Sequence, residues 1–147
     1  MIGDLLLDPV SASSGTERTQ DTTSIFIGFL NKLEGWKTKC KNLHWAAPKK
    51  NIHVYLDDFL GVLSDYQDGL AEGIMGILGR LDPLAINGTP CKASNAIDFI
   101  REVKDGTCEF YDKISNSTEY VGIKSECETL IQNINKYIYL FNLCDFR

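Results

Sequence analysis

Residues 51–81 read Asn-Ile-His-Val-Tyr-Leu-Asp-Asp-Phe-Leu-Gly-Val-Leu-Ser-Asp-Tyr-Gln-Asp-Gly-Leu-Ala-Glu-Gly-Ile-Met-Gly-Ile-Leu-Gly-Arg-Leu. Phe59, Leu63, Leu70, Ile74, Ile77 and Leu81 recur at helical steps and predict one long helix with a core stripe. A second set shares another face. Each helical residue advances about 100°, so with Asp57 at zero His53 falls near about −40°, Asp68 near about +20° and Glu72 near about +60°. This face flanks the core stripe rather than opposing it. One imidazole and three carboxylates are metal-ligand types. Asp57 and Asp68 nevertheless lie about 16 Å apart at about 1.5 Å of rise per residue, so one ion cannot bridge them. The pairs Asp57/Asp68 and His53/Glu72 share a midpoint between Val62 and Leu63. If two copies crossed antiparallel there, Asp57 would meet the mate's Asp68, and His53 the mate's Glu72. Gly61 and Ser64, on the same face, are small enough to let the backbones approach. The spacing predicts a metal site assembled between two subunits.

The segments around this helix predict a bundle. A first helix is expected from Thr23 or Ser24, either a good N-cap. Its apolar stripe is Phe26, Leu30, Leu33, Trp36, Cys40 and Leu43, continued by His44 with Trp45 beside it. Pro48-Lys-Lys-Asn51 breaks the chain, with Asn51 as the expected cap of the second helix, which Asp82-Pro83 should stop. Residues 82–92 are rich in turn formers. A third helix is expected over 94–115, with Ile97, Ile100, Val103, Phe110 and Ile114 inward. A fourth is expected over 118–145, with Val121, Cys127, Leu130, Ile134, Ile138 and Leu143 inward. No segment alternates as a strand does. The fold class is therefore all-α: an antiparallel four-helix bundle over 23–147 behind an extended or flexible tail, 1–22. In that tail only Ile2, Leu5, Leu6, Leu7 and Val10 offer an apolar anchor on a neighbour.

Bulk properties narrow the function classes. Apolar residues make up 44% and charged residues 24% of the 147, as in an ordinary globular domain. A net charge of −5 argues against nucleic-acid binding through bulk electrostatics. The Lys37, Lys39, Lys41 and Lys49-Lys50 cluster reads as a solvated face. No apolar run approaches the roughly 20 residues of a membrane span, and Met1-Ile-Gly-Asp4 lacks the positive start of a secretory signal. Five scattered cysteines without a C-x-x-C pair read as free thiols in a reducing compartment. The expected location is the cytoplasm, or a virion under the second reading below.

The chain from about residue 24 to 145 resembles the Dps-type mini-ferritins. The resemblance rests on His44-Trp45 near the end of the first helix and on His53-x3-Asp57-x10-Asp68-x3-Glu72 in the second. Leu56-Asp-Asp-Phe59 and the closing stretch Ile131-Gln-Asn-Ile-Asn-Lys-Tyr-Ile-Tyr-Leu140 are similar as well. The resemblance implies a ferritin-like homo-oligomer that binds iron between two-fold-related subunits. His44, His53 and Asp57 would come from one subunit, Asp68 and Glu72 from its mate, with Trp45 as the aromatic neighbour of the site. It implies oxidation of Fe(II) by peroxide or dioxygen. This sequence differs from the family's pattern in three places. The His44–His53 spacing is about three residues shorter, Gly73 follows Glu72 where an arginine is usual, and Thr118-Glu-Tyr-Val-Gly-Ile123 lacks an acidic run. The missing acidic run, the glycine-rich second helix and a tail that is not basic and starts apolar favour a second reading: a ferritin-like building block of a larger assembly such as a phage virion, without enzymatic activity. The intact ligand set favours the first. For the residues alone, His53 and Asp57 also make an ordinary i,i+4 polar pair. Asp68 and Glu72, like charges at i,i+4, ask for a cation or for donors from another helix.

Overall fold

The computed structural model describes residues 9–144, with side chains from residue 21 onward. Four helices carry the fold: α1 (Pro9–Ala46), α2 (Lys50–Leu78), α3 (Ala96–Lys113) and α4 (Val121–Asn142). A 3-10 turn, Thr118–Tyr120, leads into α4, and no strand occurs among the described residues. No helix among them is long and apolar enough to cross a membrane.

α1 starts earlier than its sequence pattern predicts. Residues 9–22, expected as extended tail, form its first turns. Pro9 is tolerated at the first position, where its missing N–H costs nothing, and an already nucleated helix gains one bond for each residue added. Residues 1–8, with Ile2 and Leu5 to Leu7, lie outside the described residues. α1 ends before Ala47-Pro48, since a residue preceding proline avoids helical dihedrals. α2 begins at Lys50, so Asn51 sits inside its first turn rather than capping it; its Oδ1 accepts the N–H of Ile52 at 2.8 Å. α2 stops at Gly79 (φ 88°), ahead of Asp82-Pro83, because glycine enters the left-handed region without penalty. Asn95 caps α3 by accepting the N–H of Asp98 at 2.9 Å.

α1 packs on α2 and α3, and α4 packs on α3 and α2. Between α1 and α2 the pairings are His44 with His53, Cys40 with Leu56 and Leu30 with Gln67, so numbers rise along one helix as they fall along the other. Phe59 meets both Phe99 and Tyr137, which places the starts of α2 and α3 at the same end as the close of α4. The linker 79–95 therefore returns along the length of the bundle, crossing α1. Asn31 holds it there: its backbone carbonyl accepts the N–H of Thr89 at 2.9 Å, and its Oδ1 accepts those of Asn87 and Gly88 at 3.1 Å each. Gly35 allows this approach, because a Cβ there would collide with the Thr89 carbonyl. Gly106 of α3 makes the matching room for Trp36, whose Nε1 donates to Glu102 at 3.2 Å.

The core follows the expected stripes with shifts at their ends. Phe26, Leu30, Leu33, Trp36 and Cys40 are buried, as are Phe59, Leu63, Leu70 and Ile74, and Ile100, Val103, Phe110 and Ile114. Leu43, Ile77, Leu81 and Ile97 are only half-buried. In α4 the buried set is Ile123, Cys127, Leu130, Ile134, Tyr137 and Phe141. Val121 and Leu143, expected inside, are exposed. Each lies two residues, about 200° of rotation, from an end of that stripe. Ile138, one residue or about 100° past the inward Tyr137, lies at the edge of the stripe and is half-buried.

All five cysteines are free, with Cys40 and Cys127 fully enclosed. Burial, with a smaller contribution from the Asp57 charge, pushes the Cys40 thiol up to about 12 from its ordinary 9.0. The unfolded chain thus loses this proton at lower pH than the folded one. The associated stability is complete below about pH 9 and declines as pH rises toward 12. Urea titrations at pH 8, 9.5 and 11 are expected to show falling stability, and Cys40→Ala is expected to lessen that decline, the rest coming in part from Cys127, whose thiol burial raises to about 11.

Candidate metal centre

The turn from α1 into α2 lays the ring of His44 on that of His53, with centroids 3.8 Å apart and planes inclined by 22°. Nδ1 of His44 lies 2.7 Å from the backbone carbonyl oxygen of His53, and Nδ1 of His53 lies 2.8 Å from that of His44. A carbonyl oxygen can only accept, so each Nδ1 carries the proton and donates it. In the neutral ring this leaves Nε2 with a free lone pair. A metal-binding histidine characteristically donates its other ring N–H to a carbonyl or carboxylate, which fixes its tautomer and orientation. The nine-residue spacing is therefore long enough for His44 to reach His53. The bonds also serve the fold. The last carbonyls of α1 lack α-helical partners. The one on His44 accepts the Ala47 N–H at 3.4 Å and gains the shorter bond from His53 Nδ1 at 2.8 Å.

Asp57 follows His53 by one helical turn and is exposed. Asp68 and Glu72, also exposed, sit about 16 Å and about 22 Å farther along α2 than Asp57. Among the described residues, no group of three or more His, Cys, Asp and Glu side chains lies close enough to hold a metal ion. One chain thus brings His44 and His53 together and leaves Asp68 and Glu72 apart from them. Trp45, next in sequence to His44, is 67% exposed, and its ring lies 5.4 Å from the Lys41 ammonium. That distance is within cation–π range.

Sequence reasoning missed a polar network beside Asp68. Lys37 Nζ donates to Gln67 Oε1 at 2.9 Å and approaches Glu34 Oε2 at 3.4 Å. Gln67 Nε2 donates to Glu34 Oε2 at 2.9 Å and to the Leu30 carbonyl at 3.3 Å. The network ties α1 to α2 at the floor of an open cleft of about 490 Å³ that Asp68 and the linker residues Leu84 and Ile86 also line. The i,i+3 pair Glu34/Lys37 was the available signal, but no sequence rule joined it to Gln67.

No family model matches the sequence, and neither a curated protein nor a solved structure matches it.

The tautomers are directly observable. Long-range proton–nitrogen correlation spectra at pH 8 are expected to show both imidazoles protonated at Nδ1 and bare at Nε2. A ring with Nδ1 bare and its proton on Nε2 would contradict the reciprocal bonding.

Proposed function

We propose that two copies of this chain pair antiparallel through α2 and bind Fe(II) as a substrate between them. His44, His53 and Asp57 of one copy would face Asp68 and Glu72 of the other in a ferritin-like bundle. The observation that carries this reading is the reciprocal bonding of His44 and His53, which commits both Nδ1 atoms and leaves both Nε2 atoms available. The connectivity agrees with it, since ferritin-like bundles have one long crossover and here the linker 79–95 returns along the bundle. So does the open face of α2: Asp57, Gly61, Asp68 and Glu72 are exposed, and nothing lies within 4 Å of a Cβ built on Gly61.

Imidazole and carboxylate donors suit Fe(II). Carboxylates favour the higher charge of Fe(III), so such a site eases loss of an electron. Two Fe(II) ions supply two electrons, which with two protons convert one hydrogen peroxide to two waters. The protein's part is to hold the metal on oriented donors and to supply the negative charge that Fe(III) requires.

The second reading, a non-enzymatic building block of a larger assembly such as a virion, draws on the exposed Trp45, Val121, Tyr139 and Leu143. Metal content after iron loading separates the two.

The iron reading makes a quantitative prediction for mixed variants. Asp57→Ala and Asp68→Ala chains are each expected to be inactive in Fe(II) oxidation. Exchanged in equal amounts, they are expected to recover about a quarter of wild-type activity, because half of the dimers are hybrids and each hybrid keeps one of its two sites. No recovery despite subunit exchange would contradict a shared site. A wild-type chain that neither binds nor oxidises iron would leave the building-block reading.

A further inference from the structure

At the end of the bundle where α1 turns into α2 lies a small, largely apolar cavity of about 220 Å³. Leu43 and Ala47, Pro48 of the turn, Ile52 and Leu56 of α2, and Ala96 of α3 form its walls. Lys49 and Lys50, next to Pro48 in the chain, are exposed. On the α3 side, Asp98 is already engaged by Asn95 Nδ2 at 2.9 Å. The hollow is thus mostly apolar, with Ser94 and Asn95 at its α3 side, and two exposed lysines follow its Pro48 wall in the chain. The sequence holds a segment of complementary character outside the described residues: Asp4-Leu5-Leu6-Leu7-Asp8, three leucines between two carboxylates.

We propose that Leu5-Leu6-Leu7 of one copy seats in this cavity on a neighbouring copy, with Asp4 and Asp8 against Lys49 and Lys50. Reach excludes the cavity of the same chain. From Pro9 to Leu43 the axis of α1 runs about 51 Å. Leu5 stands four residues before Pro9, and that stretch spans at most about 14 Å. The contact joins two different surfaces, so it propagates from copy to copy and can link α2-paired dimers into a larger body. It does not depend on iron.

Sedimentation of the full chain over a concentration series tests this. The reversals D4K/D8K and K49E/K50E are each expected to raise the concentration needed for association beyond the dimer by about tenfold or more at low salt, where charge pairs steer and hold contacts. The four changes combined are expected to restore it. All four positions are charged, and the two lysines are exposed. In parallel, a photoreactive benzoylphenylalanine replacing Leu6 in an equal mixture of ¹⁴N and ¹⁵N chains is expected to cross-link to peptides covering 43–56 or 94–96, with both isotopes in one product. Unchanged association in both reversal variants would overturn the proposal. So would failure of the combined variant to recover, absence of wild-type association beyond the dimer, or cross-links confined to one isotope or to other peptides.

Discussion

The reciprocal pair of histidine–carbonyl bonds at the α1–α2 turn sets the register on which the rest of the site depends. Pro48 ends α1, and His44 and His53 then lock the two helices at one relative height. From that register follow the Cys40 thiol donating to the Leu56 carbonyl at 3.1 Å and, about four turns from the histidines, Gln67 reaching the Leu30 carbonyl. With α1 and α4 packed against it, α2 buries Ile52, Leu56, Phe59, Leu63, Leu70 and Ile74. The face carrying Asp57, Gly61, Asp68 and Glu72 stays open to solvent. Slipping the hairpin by one residue would rotate that face by about 100° relative to α1 and separate the imidazoles.

Much of this was legible in the sequence because burial at steps of three and four leaves a plain record. The inward faces of α1 to α3 follow their apolar stripes through the middle of each helix. The misses have local causes. Phe29 and Phe99 are buried because α1 and α3 face two neighbours at once: Phe29 stacks on Phe110 at 3.9 Å, and Phe99 meets Phe59. A stripe drawn for one contact omits the second. In α4, starting the phase at Val121 placed Ile138 and Leu143 inward, whereas Tyr137 and Phe141 occupy the core. The early start of α1 was illegible because Ser11-Ala-Ser-Ser-Gly-Thr16 has the composition of a loop, and only continuity with the helix after it argues otherwise.

The candidate site divides along the same line. Spacing alone placed His53, Asp57, Asp68 and Glu72 on one face, since a single helix fixes those angles. It could not show that His44 would stack on His53, because that contact depends on a turn whose geometry comes from Pro48 and from two bonds no motif encodes. Nor could it find Gln67, whose amide bridges α1 through Glu34 and Lys37. Asp68 and Glu72 remain like charges one turn apart, with no ion pair to either among the described residues. Such a pair is mildly unfavourable on an isolated helix and becomes favourable once a cation or a facing donor arrives. On the proposed reading, the mate's His44, His53 and bound metal fill that role.

Pairing through α2 is the central claim, and light scattering on Gly61→Phe tests it most directly. Gly61 is exposed with open space around it, so the ring disturbs nothing within the chain, while phenylalanine is at least as good a helix former as glycine. The account predicts an unchanged helical circular dichroism spectrum, loss of the α2-paired species and loss of iron binding with it. An unchanged mass together with unchanged iron binding would contradict it.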